Sequence, residues 1–418
     1  MALDGERDVR SRQLKTGTRV LLALWVLGLV NYLDRVVMSF AGPSIMASLS
    51  MSPAAFGVVL SSFSIGYLLA QIPGGLLTDR VGVKVLLVVG PLAWGVFTGA
   101  TGLVSTMAGF VVVRFLFGIS EGLSQPSLYK TIGGTFLPEQ RSRALAICAS
   151  AMPLAPLVAG ALVGKLIGAF SWQATFLIMA VPSALVGLLN YLLIPAKLPL
   201  EQSSDSQKVK KPSFRSVLMT PGLVWLCVAS FACNIPYWGF LGWMPSYLSM
   251  ARHLDLAKSG HLASIPYIFG FLGLLISGWL GSGVFRRHCP QLLVLLWAGI
   301  GAGLVLAYQA ESLSVSLVGL SIAAFGMFGG AGPLGKVVLD VAPERGRATF
   351  VGVYNTVGHL GGAAAPAAVG GLVKLTGTFA AGFGLMVAGL IVGAIGILLA
   401  TTYQRRNPTV VDEKVVAE

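Results

Sequence analysis

The sequence predicts an all-α integral membrane protein, with twelve transmembrane helices in two pseudo-symmetric six-helix halves. Three observations carry that prediction. Of the 418 residues, 55% are hydrophobic and only 11% charged, against about 25% charged in an ordinary soluble chain. Apolar runs long enough to cross a bilayer, ~20 residues each, recur from end to end. A short polar stretch also repeats: "LPEQRSRA" (137–144) returns as "APERGRA" (342–348), and Lys130 and Lys336 precede the two copies at similar distances.

Charged and Pro/Gly-rich breaks place the spans near 18–43, 54–78, 84–104, 106–130, 142–169, 173–194, 221–250, 258–284, 289–309, 313–338, 346–374 and 379–403. The first run is too long for a signal-peptide core and lacks a small-residue cleavage site, so it is expected to stay as the first span. One set of loops, which includes both termini, holds 23 of the 29 Lys and Arg residues. The opposite loops hold only Lys165, Arg252, Lys258 and Lys374. Basic loops stay in the cytoplasm, so both termini are expected there. The repeat follows the fourth and the tenth span, which gives two halves of one orientation: 1–195 and 217–418, joined by a polar cytoplasmic linker, 196–216. Parallel repeats of this kind mark solute transporters.

Composition removes other classes. The net charge of +13 is spread over loops with no basic, aromatic-rich domain, so nucleic acid is not an expected partner. Cys148, Cys227, Cys233 and Cys289 lack metal-ligand spacing or a disulfide framework and read as packing residues. No nucleophile–base arrangement, metal cluster or phosphate loop appears, so neither enzyme activity nor a cofactor nor a metal is expected. The 53 glycines suit close helix packing in lipid. Gly160, Gly164 and Gly168, and Gly389 and Gly393, have the spacing for it.

Charge inside the spans points to function. An ionisable group facing lipid costs about 2.5–3.5 kcal/mol on insertion scales, so Asp34, Arg35, Arg114 and Glu121 must face protein or an aqueous cavity. Asn31 and Arg35 share one helix face, with Asp34 ~100° away. Arg114, Glu121 and Gln125 fall on one stripe of the fourth span, Arg114 and Glu121 ~10 Å apart in rise. By depth, an Asp34–Arg114 pair is feasible, with Glu121 standing apart. A buried carboxyl without a permanent cation holds and releases a proton, which suits Glu121. Asp34, between two guanidiniums, is expected to take a proton only when its pair opens. Arginine presents a fixed planar fork to a carboxylate, so Arg35 or Arg114 is the natural ligand of an anionic solute. Tyr67 and Gln71, one turn apart, offer hydrogen bonds to solute hydroxyls. In the second half Asn234 and Tyr237 stand where Asn31 and Asp34 stand in the first, and Asn355 and His359 lie one turn apart in the eleventh span.

Several of these residues fall in motifs. "GGLLTDRVGVKV" (74–85) resembles the loop signature of the major facilitator superfamily through Gly75, Asp79, Arg80, Gly82 and Lys84. "NYLDR" in the first span, "RFLFGISEG" (114–122) in the fourth and "WMPSYL" (243–248) in the seventh are similar to its anion:cation symporter family, which includes bacterial sugar-acid symporters, sialin and vesicular glutamate transporters. The resemblance covers nearly all of the chain. It departs at Ser282, where the second loop copy would carry Asp, at Met152, where some relatives carry Gln, and at His359, where many carry Asn. The resemblance implies the major facilitator fold, proton coupling at Asp34 and Glu121, and solute binding by the matching arginines and by Tyr32 of the "NYxDR" pattern. It also implies a gate at Asp79 and Arg80. The expected function is proton-coupled symport of a small organic anion, most readily a hexuronate, aldonate or aldarate, by a monomer in a bacterial inner membrane. Drug/proton antiport is the alternative, suggested by "PLAPLVAG" (153–160) and the apolar second half.

Overall fold

The computed structural model describes the backbone of residues 2–198, 214–220, 222–285, 287–343 and 346–406, and their side chains from residue 16 onward apart from 138, 142, 214, 256–260, 282, 348 and 405–406. Most of the expected linker, with Glu344 and Arg345 of the second repeat and the C-terminal tail, therefore lies outside the described residues. Fifteen helices make up the described chain, in the order α1 (Ala2–Ser48), α2 (Pro53–Val81), α3 (Val83–Thr101), α4 (Met107–Thr135), α5 (Pro138–Ala149), α6 (Ala151–Ala169), α7 (Trp172–Leu193), α8 (Phe214–Leu218), α9 (Leu223–Met250), α10 (Leu256–Ser282), α11 (Cys289–Gln309), α12 (Leu313–Gly329), α13 (Ala331–Val341), α14 (Arg347–Thr376) and α15 (Ala380–Arg406).

These form twelve spans long and apolar enough to cross a membrane. The fifth and tenth spans each consist of two helices, joined at Ser150 and at Gly330. One cause accounts for both joints. Pro153 and Pro333 have no N–H to offer the carbonyls four residues back, Ala149 and Gly329, and a helix missing that bond bends. Four spans begin on side-chain caps, with Ser52, Thr106, Ser171 and Ser312 accepting from the backbone N–H of Ala55, Gly109, Ala174 and Val315, which satisfies one orphan donor each.

The helices gather into two units. The first holds α1, α2 from Ser62 onward, and α3–α7; the second holds residues 50–61, which open α2, with α8–α15. Within the first, α1 packs on α6 and α7, and α3 on α4 and α7. Within the second, α9 packs on α14 and α15, and α11 on α12 and α15. The pairing pattern repeats, as the repeated sequence requires. The outward surfaces leave Leu69, Ile72, Val96, Leu192, Leu295 and Ile395 bare, an exterior suited to lipid tails.

Glycine sets the closest helix approaches, though not every glycine marked by spacing takes part. A Cβ at Gly389 would stand 2.6 Å from the Ala232 carbonyl oxygen, whereas one at Gly168 would meet open space. The tightest crossing of the first unit falls elsewhere. Gly66 and Gly74 of α2 lie against the backbone of α4, and Gly118 and Gly122 of α4 lie against that of α2. In the second unit, Gly361 of α14 lies against the Phe231 carbonyl of α9. All four cysteines are free thiols.

Candidate functional site

The α2–α4 crossing brings aromatic rings and charge into one buried cluster. Four residues separate Phe63 from Tyr67 on α2, and seven separate Arg114 from Glu121 on α4, so each pair lies along one helix face. From α1, Arg35 reaches into the cluster and donates Nε to Glu121 Oε2 at 2.6 Å. Its guanidinium carbon lies 4.9 Å from the ring centre of Tyr32, 5.1 Å from Phe63 and 4.7 Å from Tyr67. Such contacts add about 0.5–1 kcal/mol each at exposed sites and about 2 kcal/mol where water is excluded. The Arg114 guanidinium carbon lies 4.4 Å from the ring centre of Phe117 and 5.6 Å from that of Phe63. It is only 1% exposed, and its Nε and Nη1 have no hydrogen-bond partner.

This arrangement corrects the pairing that depth made feasible. Arg114 makes no ion pair with Asp34 among the described residues, and Glu121 does not stand apart. The reason is the helical turn of α1. Adjacent residues diverge by ~100°, so Arg35 faces α2 and α4 while Asp34 faces α3 and α7. There Asp34 accepts a short hydrogen bond from the Ser183 hydroxyl of α7, with Trp94 of α3 beside it. Arg114 balances both acids electrostatically without touching either.

A cavity of about 120 Å³ opens beside Glu121, bordered among others by Asn31, Tyr32, Ser124, Gln125, Tyr129 and Met152. Asn31 stands against the Glu121 carboxyl. Tyr32, Arg35, Tyr67, Arg114 and Glu121 are thus gathered in one place, and Gln71 lies half-buried one turn beyond Tyr67. Asp34 lies in the same unit with Ser183 as its hydrogen-bond partner, and Trp94 beside it also borders the cavity next to Glu121.

In the second unit the predicted residues frame an uncharged surface. Asn234 returns its amide to the Ser230 carbonyl of its own helix at 2.8 Å. Tyr237 packs edge-on against Trp238 and Phe328. Gly358 of α14 lies against Ser230 and Asn234, which sets His359, half-buried, next to that contact and leaves Asn355 exposed. At the loop signature, Asp79 accepts from Lys130 Nζ at 2.9 Å with both side chains exposed, and Arg80 is exposed beside it. Gly82, at φ 87°, turns the chain from α2 into α3 through a conformation that side chains resist.

Sequence reasoning did not single out Phe63, Phe117, Trp94 or Ser183. Nothing in their spacing separates them from ordinary packing residues; only the neighbouring helices give them a role.

The Major Facilitator Superfamily model matches residues 24–366. The chain is 30% identical to the hexuronate transporter of Bacillus subtilis (strain 168), covering 90% of this chain and 92% of that protein. It is 28% identical to a probable galactarate/D-glucarate transporter of the same organism, covering 92% of each. It is also 26% identical to a quinolone resistance transporter of Acinetobacter baumannii, covering 94% and 95%. In fold it is similar to a crystal structure of a bacterial homolog to the human lysosomal transporter Spinster in its inward-facing, unoccupied conformation. That likeness has a TM-score of 0.76 at 20% identity, covering 93% of this chain and 98% of that one.

Proposed function

The chain belongs to the Major Facilitator Superfamily, a multi-pass membrane transporter and not an enzyme, and from that premise we propose that it takes up a sugar acid together with protons. The hexuronate and galactarate/D-glucarate relatives support the solute class. Proton coupling rests on one observation, the buried Arg35–Glu121 pair at 2.6 Å. A solute carboxylate and the Glu121 carboxylate compete for one guanidinium. Two anions on one buried cation leave a net negative charge out of water, which is costly. Protonation of Glu121 releases Arg35 for the solute, so loading a proton and loading an anion favour each other. Arg35 is the better placed of the two candidate guanidiniums, because it is the one bonded to Glu121, while Arg114, 1% exposed, serves as the standing countercharge. Tyr32, Tyr67, Gln71, Asn234, Tyr237, Asn355 and His359 supply hydrogen bonds to hydroxyls, and Asp79 with Arg80 governs reorientation. Both termini lie in the cytoplasm, and one chain is the working unit.

Glu121→Gln tests this reading. The amide keeps the shape but cannot load or unload a proton. In proteoliposomes the variant is expected to lose pH-gradient-driven accumulation of D-glucuronate while keeping counterflow, which needs only reorientation of the loaded carrier. Retained uphill uptake would remove Glu121 as the coupling group. Export of a drug in exchange for protons is the second reading, favoured by the quinolone resistance relative. It predicts that expression raises quinolone resistance with no accumulation of sugar acids.

A further inference from the structure

Asp34 is fully buried, and the cluster around Glu121 does not use it. Its Oδ2 accepts from the Ser183 hydroxyl, and Oδ1 has no hydrogen-bond partner of good geometry. The indole of Trp94 stands beside the carboxyl, and Thr98, one turn further along α3, is buried with its hydroxyl unpartnered. A carboxyl, an indole and the Ser183 hydroxyl thus meet where α1, α3 and α7 pack together.

The wall beside Asp34 is firmly built. Pro91 has no N–H for the Leu87 carbonyl of α3, and Asn190 of α7 donates its amide to that oxygen at 2.6 Å. Ser183 lies seven residues before Asn190, two turns away on the same face of α7. Gly95 admits Ser183 to α3, since a Cβ there would lie 2.9 Å from the Ser183 Cβ. Neither α3 nor α7 turns a titratable group toward Asp34. The charged groups that face it are Arg114 and Glu121 of α4, with Arg35 next to it on α1. The charges of α5 lie at its first turns, and Lys165 of α6 is exposed.

We propose that Ser183 is a positioning residue for Asp34, the α1 acid for which the family resemblance implies proton coupling, and holds that carboxyl apart from the Arg35–Glu121 ion pair. A hydroxyl both donates and accepts. It donates to the ionised carboxylate and accepts from the protonated acid, so the contact survives a change of protonation state. A cationic partner would stabilise only the ionised form, and an apolar one neither. Asp34 can therefore exchange a proton without rearrangement of the α3–α7 wall. The inference rests on the symport reading for its place in transport, but the site itself can be tested apart from it.

The experiment is infrared difference spectroscopy of purified, lipid-reconstituted full-length protein over a pH titration, with Asp34→Asn identifying the Asp34 carboxyl band. In Ser183→Ala the protonated carbonyl stretch is expected to move to higher frequency, because the acid loses its hydrogen bond. The isosteric Ser183→Cys, a weaker partner, should fall between and covers the case of an Ala variant that does not fold. Uptake in the same preparations should show a pH midpoint displaced by about one unit, with the solute KM within two-fold at saturating proton concentration. An unmoved band and an unchanged pH profile in both variants would overturn the proposal. A shifted band in a protein that never accumulates solute would sink the symport reading and leave the Asp34–Ser183 site standing.

Discussion

The two six-helix units share their helix pairing but not their chemistry. In the first, α1 carries Arg35 to Glu121 and Asp34 to Ser183, both buried; at the matching turn of α9 the second carries Tyr237 and Trp238, packed edge to face. Lys130 reaches across from α4 to Asp79 on α2, whereas Lys336 folds back on Asp340 of its own helix. The difference teaches which features belong to the architecture and which to the chemistry. Close glycine contacts occur in both units because helices in lipid need near backbone approach wherever they cross. Among the described residues buried charge occurs in one unit, because charge out of water persists only where specific partners compensate it.

The largest expected effect falls on what the units share. Gly118→Ala and Gly361→Ala each drive a Cβ into a facing carbonyl, of Phe63 and of Phe231. Both are expected to abolish monodisperse, detergent-stable protein by size-exclusion chromatography, while Gly168→Ala behaves as wild type. A stable Gly361→Ala protein would break the architectural half of the comparison.

Next comes the charge that only the first unit has. Arg35→Lys keeps the sign but loses the planar fork, and sugar-acid affinity measured by calorimetry is expected to fall on the order of 100-fold, the scale of lost charge-assisted hydrogen bonds. Tyr237→Phe, at the neighbouring matched position of the second unit, should change affinity by less than about ten-fold, the scale of one neutral hydrogen bond. Equal losses would mean that both units hold the anion.

The smallest effect separates the two surface pairs. Exposed ion pairs contribute ~0–1 kcal/mol, so neither Asp79→Asn nor Asp340→Asn should alter melting temperature appreciably. Asp79→Asn alone is expected to slow net flux several-fold with affinity retained, because its pair links two helices and that of Asp340 links a helix to itself. Slowed flux in both variants would show that the second loop copy works as a gate as well.

The sequence alone determined the twelve spans, the repeat and the choice of Arg35, Arg114, Asp34 and Glu121. Each of these follows from a one-dimensional property: hydropathy over ~20 residues, self-similarity, and charge where charge is expensive. Tyr32 came from the family resemblance and Tyr67 from its one-turn spacing to Gln71, and only the packing of α1 against α2 set both rings on Arg35. Partner choice was decided only by tertiary structure. Spacing along α1 and α4 suggested Asp34 with Arg114, yet the crossing of α2 over α4 at Gly66 and Gly118 and the docking of α7 on α3 gave Glu121 to Arg35 and Ser183 to Asp34. Depth along a helix can be counted from a sequence. The direction in which each face looks depends on how whole helices rotate and cross, and that is settled by packing among residues far apart in the chain.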